Sequence, residues 1–186
     1  MSALTPYQTV GPFFHEGLAF PGGETLANDV TKGTRVRLEG IVRDGAGEPI
    51  PDAIVEIWQA NAAGRYRHPA DARDAPLDPS FDGFGRVATD DGGQFAFATV
   101  KPGAVPGPDG TVQAPHLVAS VFARGLLTRL VTRVYFDDEV ANSSDVILSL
   151  VPQARRDTLI AKRIGDGHYR FDIVLQGEGE TVFFDV

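Results

Sequence analysis

From Thr34 onward the chain alternates apolar and polar positions. Val36, Leu38, Gly40 and Val42 are interleaved with Arg35, Arg37, Glu39 and Arg43. A period of two is the signature of a half-buried strand, because successive side chains leave opposite faces of the sheet. Asp44-Gly45-Ala46-Gly47-Glu48-Pro49 reads as a turn, and Ala53 to Gln59 as a second strand. Arg86 to Thr89 is strand-like, Asp90-Asp91-Gly92-Gly93 supplies hairpin-turn chemistry, and Phe95, Phe97 and Thr99 alternate after it. Further strands are predicted over 117–123, 128–136, 145–150, 159–164 and 169–175, with short helical turns near 138–142 and 153–157. Many short strands with no run long enough for a crossover helix predict an all-β fold, an antiparallel β-sandwich over residues 34–186.

The flanking and intervening segments behave differently. Residues 1–33 hold no sustained period and are broken by Thr5-Pro6, Gly11-Pro12 and Pro21-Gly22-Gly23. Phe13, Phe14 and Phe20 argue for an arm docked on another surface, since disordered tails are poor in aromatics. The Pro/Gly-rich stretches 67–83 and 101–115 are longer than ordinary connections, and loops of that length tend to serve a site or an interface.

Composition narrows the chemistry. A chain of 186 residues can bury a self-sufficient core. It has no cysteine, which excludes disulfides, thiolate metal sites and a cysteine nucleophile. The net charge of −8 and the absence of a Lys/Arg run exclude a nucleic-acid stripe. Met1 to Pro6 has no basic and apolar leader, and no apolar run approaches a membrane span, so a cytoplasmic chain is expected.

The candidate chemistry is incomplete on residue types alone. His15, His68, His116 and His168 fall in no recognised ligand spacing. A two-histidine site on one strand face needs a partner two residues beyond His116, and that position is Val118. Gly64-Arg65-Tyr66-Arg67-His68 offers a phenol, a hard ligand suited to ferric iron, with neighbouring Arg expected to lower its pKa; a surface turn is the plainer alternative. Arg124 closes a strand at Phe122-Ala123-Arg124-Gly125, either as a functional cation or as a solvated turn residue. No serine has a G-x-S-x-G context.

Several stretches taken in order go further. Thr9-Val10-Gly11-Pro12-Phe13-Phe14, Gly40-Ile41-Val42-Arg43-Asp44, Val55 to Asn61 with Trp58-Gln59-Ala60-Asn61, Gly64-Arg65-Tyr66, Gly85-Arg86, Val100-Lys101-Pro102-Gly103 and Ala114-Pro115-His116 resemble the intradiol ring-cleavage dioxygenases over nearly the whole chain. The closing segments Tyr169 to Ile173 and Gly177 to Asp185 look like an α-type subunit of that family. The resemblance implies a transthyretin/prealbumin-like sandwich and a ferric ion held by two Tyr and two His. Matched one by one, the first Tyr is Tyr66 and the first His is His116, whereas the second Tyr position holds Val105 and the second His position Val118. It therefore implies no metal held by this chain, with Fe(III) bound instead by a homologous β subunit, and cleavage of 3,4-dihydroxybenzoate by O₂ in an α–β assembly. It also implies that the arm 1–33 packs on the partner. Thr9, Gly11, Pro12, Phe13 and Arg124 would complete the partner's substrate pocket. The other reading is a non-catalytic transthyretin-like structural or binding module.

Overall fold

The computed structural model describes residues 6–11 and 13–185. Most of the ordered structure is β. Strands β1 (Arg35–Arg43), β2 (Ile54–Trp58), β3 (Phe84–Ala88), β4 (Gln94–Val100), β7 (His116–Phe122), β8 (Leu130–Phe136), β9 (Ile160–Gly165), β10 (His168–Arg170) and β11 (Ile173–Val174) form one sheet in the order β11-β1-β10-β9-β8-β7-β2-β3, with β4 paired to β1. A two-stranded hairpin, β5 (Val105–Pro106) and β6 (Val112–Gln113), rises from the long loop 101–115. Because β3 at one end and β4 at the other are joined only by the tight turn at Asp90–Gly93, the sheet nearly closes on itself.

The core lies where the two halves of this sheet face each other. Val36, Leu38 and Val42 of β1, Phe95 and Phe97 of β4, Val55 and Ile57 of β2, Leu117, Ala119 and Val121 of β7, and Val134 and Phe136 of β8 are all buried in one cluster. These are the same-parity positions of each strand, so the alternation in sequence is the physical cause of the packing. Burial of each large apolar side chain contributes about 1.5–3 kcal/mol before ordering costs.

Two expectations are corrected. The sheet is mixed: β1 runs parallel to β10 and β11, and β8 runs parallel to β9. The segment 145–150, expected as a strand, is instead a short helix, α2 (Val146–Leu150), following the one-turn α1 (Phe14–Leu18) in chain order. Its β-branched start reads as a strand, but Asp145 accepts from the Leu148 amide at 2.7 Å and caps the turn. Asp145 is fully buried and also accepts from the Ala114 amide at 2.7 Å and the Tyr135 hydroxyl at 3.1 Å. Three donors converging on one carboxylate outweigh a weak local strand preference.

The arm divides in two. From about Gly23 it is stitched to its own body: Thr25 bridges Ala98, the Leu26 amide donates to Ala98 O at 2.8 Å, and the Lys32 amide donates to Asp78 at 2.8 Å. Before that, α1 buries nothing, and Tyr7 and Phe13 are 76% and 73% exposed. No helix among the described residues is long and apolar enough to cross a membrane.

Candidate functional site

The parity that sends half of each strand inward sends the other half to the outer face. There Trp58 of β2, Val118 of β7 and Arg133 of β8 stand in one row across three strands, with Glu56, Ser120 and Val131 in the next. The loop 66–73 and the β5–β6 hairpin wall off this face, leaving a cleft of about 1100 Å³. All four positions matched to metal ligands line it: Tyr66, Val105, His116 and Val118.

The Trp-Gln-Ala-Asn run explains how these loops are held. Trp58 faces the cleft with its ring stacked on Tyr66, centroids 5.9 Å apart at 13°. Gln59, its neighbour, is buried on the other side and donates to Val100 O at 2.9 Å while accepting from Thr99 Oγ1 at 2.7 Å. Asn61 knots three loops. Its side chain accepts from the Ala63 and Arg65 amides and donates to Pro76 O, and its carbonyl accepts from Gly64 and Gly103. Gly64, at φ +74°, leaves no room for a Cβ, which would fall 2.0 Å from Ala104 O. The loop carrying Tyr66 and the loop leading to Val105 therefore cross in contact.

The electrostatics of the cleft are set by arginine. His116 Nδ1 bonds Ala114 O at 2.7 Å, which assigns the proton to Nδ1 and the lone pair to Nε2. Burial, reinforced by the Arg133 charge, pushes its pKa down to about 4, so the ring is neutral at neutral pH. The expectation that neighbouring Arg lowers the pKa of Tyr66 is corrected in its outcome. Arg133 and Arg73 do act in that direction, but burial dominates and raises it. The phenol stays protonated. Asp71 is held well below the usual carboxylate range, chiefly by its bonds from Arg73.

This donor set does not fit a ferric ion. Two valines supply no lone pair, the two remaining donors are a neutral phenol and a neutral imidazole, and a guanidinium shares their cleft. Ferric iron needs several hard, preferably anionic ligands, and it would also be repelled by Arg133.

The residues expected to serve a partner's pocket lie elsewhere. Strand β7 runs from His116 to Phe122, so Arg124 stands roughly 20 Å from the His116 end. There the Gly125 amide donates to Thr9 Oγ1 at 2.7 Å, tying the arm to the Arg124 turn, and Arg124 forms an ion pair with Asp52. Phe13 projects into solvent and Gly11 O accepts from the Phe14 amide at 3.3 Å; Pro12 lies outside the described residues. Thr9 and Arg124 thus share one surface cluster at the far end of β7 from His116, and neither lines the cleft.

Arg133 and Arg129 escaped the sequence reading. The available signal was a lone Arg inside the apolar strand Val131-Thr132-Arg133-Val134-Tyr135. Which face it takes depends on register with β7, which no local pattern reports.

Fold and site together define a nearly closed β-sheet protein with a cleft on its outer face that gathers Tyr66, His116, Val105 and Val118 beside Arg129 and Arg133. The family described as "Dioxygenase" matches residues 10–177, and the chain belongs to this family, the intradiol ring-cleavage dioxygenases. The chain is 47% identical over 197 residues to the protocatechuate 3,4-dioxygenase alpha chain of Pseudomonas putida, covering 97% of this chain and 96% of that one. It is 41% identical over 185 residues to the protocatechuate 3,4-dioxygenase beta chain of Burkholderia cepacia, covering 94% and 76%. Among solved structures, catechol 1,2-dioxygenase from Acinetobacter sp. ADP1 superimposes with a TM-score of 0.63 at 20% identity, over 87% of this chain and 60% of that one, a likeness of fold.

Proposed function

We propose that this chain is the α subunit of a protocatechuate 3,4-dioxygenase, assembled with a homologous β subunit. The complex cleaves 3,4-dihydroxybenzoate between its hydroxylated carbons with O₂, giving 3-carboxy-cis,cis-muconate. The observation that carries this is the broken ligand set, Tyr66 and His116 beside Val105 and Val118, in a chain 47% identical over nearly its whole length to an alpha chain. The family's chemistry uses Fe(III), and in this reading the iron belongs to the β subunit. The architecture is of the transthyretin-like sandwich type, the core between two sheet halves supporting that description. The segment before Gly23, with Tyr7 and Phe13 exposed, packs on the β subunit. Thr9, Gly11, Pro12, Phe13 and Arg124 reach that subunit's pocket, a role supported by the bond joining Thr9 to the Arg124 turn.

Co-expression with a homologous chain that keeps both Tyr and both His is the test. A complex that takes up O₂ with 3,4-dihydroxybenzoate, where neither chain does so alone, is the expected result. Failure of the two chains to co-purify, with full activity in the partner alone, would leave a structural or binding module instead.

A further inference from the structure

The cleft that no longer fits iron is not an inert remnant. Two acids line it, and both are already matched: Glu56 accepts from Arg86 Nε at 2.6 Å, and Asp71 accepts from Arg73 Nε at 2.7 Å. Arg129 and Arg133 also line it, and neither has a carboxylate partner among the described residues. Arg133 is half-buried. Its Nη1 donates to Gln113 Oε1 at 2.6 Å and lies 3.4 Å from the Tyr135 hydroxyl. Its Nε and Nη2 find no protein acceptor among the described residues. The buried Asp145 meets this guanidinium only through that hydroxyl. Gln113 is in turn held by its own donation to Pro106 O at 2.9 Å, so the fork of Arg133 is fixed before any ligand arrives. On the same face, two strands away with Val118 between, stands Trp58 with Tyr66 stacked on its ring, and Val105 adds a further apolar side chain to the lining.

An aromatic pair about two strand spacings from a pre-oriented guanidinium on the same face, in a cleft with a surplus of positive charge, suits one kind of small molecule. We propose that the cleft binds an aromatic carboxylate, its ring against Trp58 and Tyr66 and its carboxylate on Arg133 and Arg129. The recognition differs in kind from that of an iron site. A metal chelates two adjacent ring oxygens, whereas this cleft reads the carboxylate and has nothing that requires the hydroxyls.

Trp58 is the only tryptophan in the sequence, so its fluorescence in the full-length chain reports the cleft directly. Titration with benzoate should give saturable quenching. Benzyl alcohol, a neutral analogue of the same ring, should bind at least tenfold more weakly. Arg133→Gln should weaken benzoate binding about tenfold or more. Arg129→Gln, at an exposed position where a substitution should change stability little, should weaken it severalfold, so the test survives if the first variant misfolds. Absence of saturable quenching, equal affinity for benzoate and benzyl alcohol, or unchanged benzoate affinity in folded Arg133→Gln or Arg129→Gln would overturn the proposal.

Discussion

Replacing Arg124 by Ala separates a role in the shared pocket from a role in this chain's own fold. On this chain the side chain is 57% exposed and is paired with Asp52. An exposed pair contributes about 0–1 kcal/mol to stability, so the variant should fold and assemble. If the guanidinium instead bonds the substrate carboxylate in the complex, a charge-assisted bond of about 1.5–3 kcal/mol is lost. At about 1.4 kcal/mol per decade, kcat/KM for 3,4-dihydroxybenzoate should fall roughly 10- to 100-fold while the partner keeps its iron. Asp52→Asn supplies the control, since it breaks the same ion pair and leaves the guanidinium in place. Steady-state kinetics of both variants with 3,4-dihydroxybenzoate, and with catechol, which lacks the carboxylate, make the comparison. Asp52→Asn should retain most of the activity, and catechol turnover should suffer little in Arg124→Ala. Wild-type kcat/KM in Arg124→Ala would remove this residue from the pocket. Equal losses in the two variants would assign the effect to the ion pair, and equal losses for the two substrates would exclude carboxylate recognition.

The remaining predictions concern metal, assembly and pH. The chain purified alone should carry no stoichiometric iron by elemental analysis, and Val105→Tyr with Val118→His should restore it poorly until Arg133 is also replaced by an uncharged residue. Deleting residues 1–20 should weaken association with the partner at least tenfold by sedimentation or titration calorimetry. Each exposed aromatic such as Tyr7 or Phe13 could contribute about 1.5–3 kcal/mol on burial before ordering costs, and an unchanged affinity would refute the docking. His116 titrates at about 4 when folded against an ordinary 6.5, so the unfolded chain takes up its proton first as pH falls. The stability it confers is complete above the unfolded value and is lost as pH drops from 6.5 through about 4. Its size is about 3 kcal/mol at 1.36 kcal/mol per pKa unit. Denaturant melts at pH 7 and pH 4.5 should show a smaller difference in His116→Gln than in the unaltered chain.

Much of the fold was legible locally. The alternation in Val36-x-Leu38-x-Gly40-x-Val42 and in Phe95-x-Phe97 marked strands and their buried faces, because a period of two leaves one face for the core. The ordered family motifs located Tyr66 and His116, and showed at once that Val105 and Val118 cannot ligate, since side-chain chemistry needs no coordinates. The helix at 146–150 was not legible, because its cap is one part of a buried carboxylate network that joins Asp145 to Ala114 and Tyr135, residues 31 and 10 positions away. Parallel pairing of β1 with β10 and β11 was hidden for the same reason: strand partners are chosen by long-range packing, and a single strand carries no record of its neighbour's direction. The cationic cleft depended on tertiary structure most of all. Trp58, Val118 and Arg133 are scattered over 75 positions of sequence and become one row only when β2, β7 and β8 pair in register. Whether the guanidinium is free or matched is then decided by which loops close over that face.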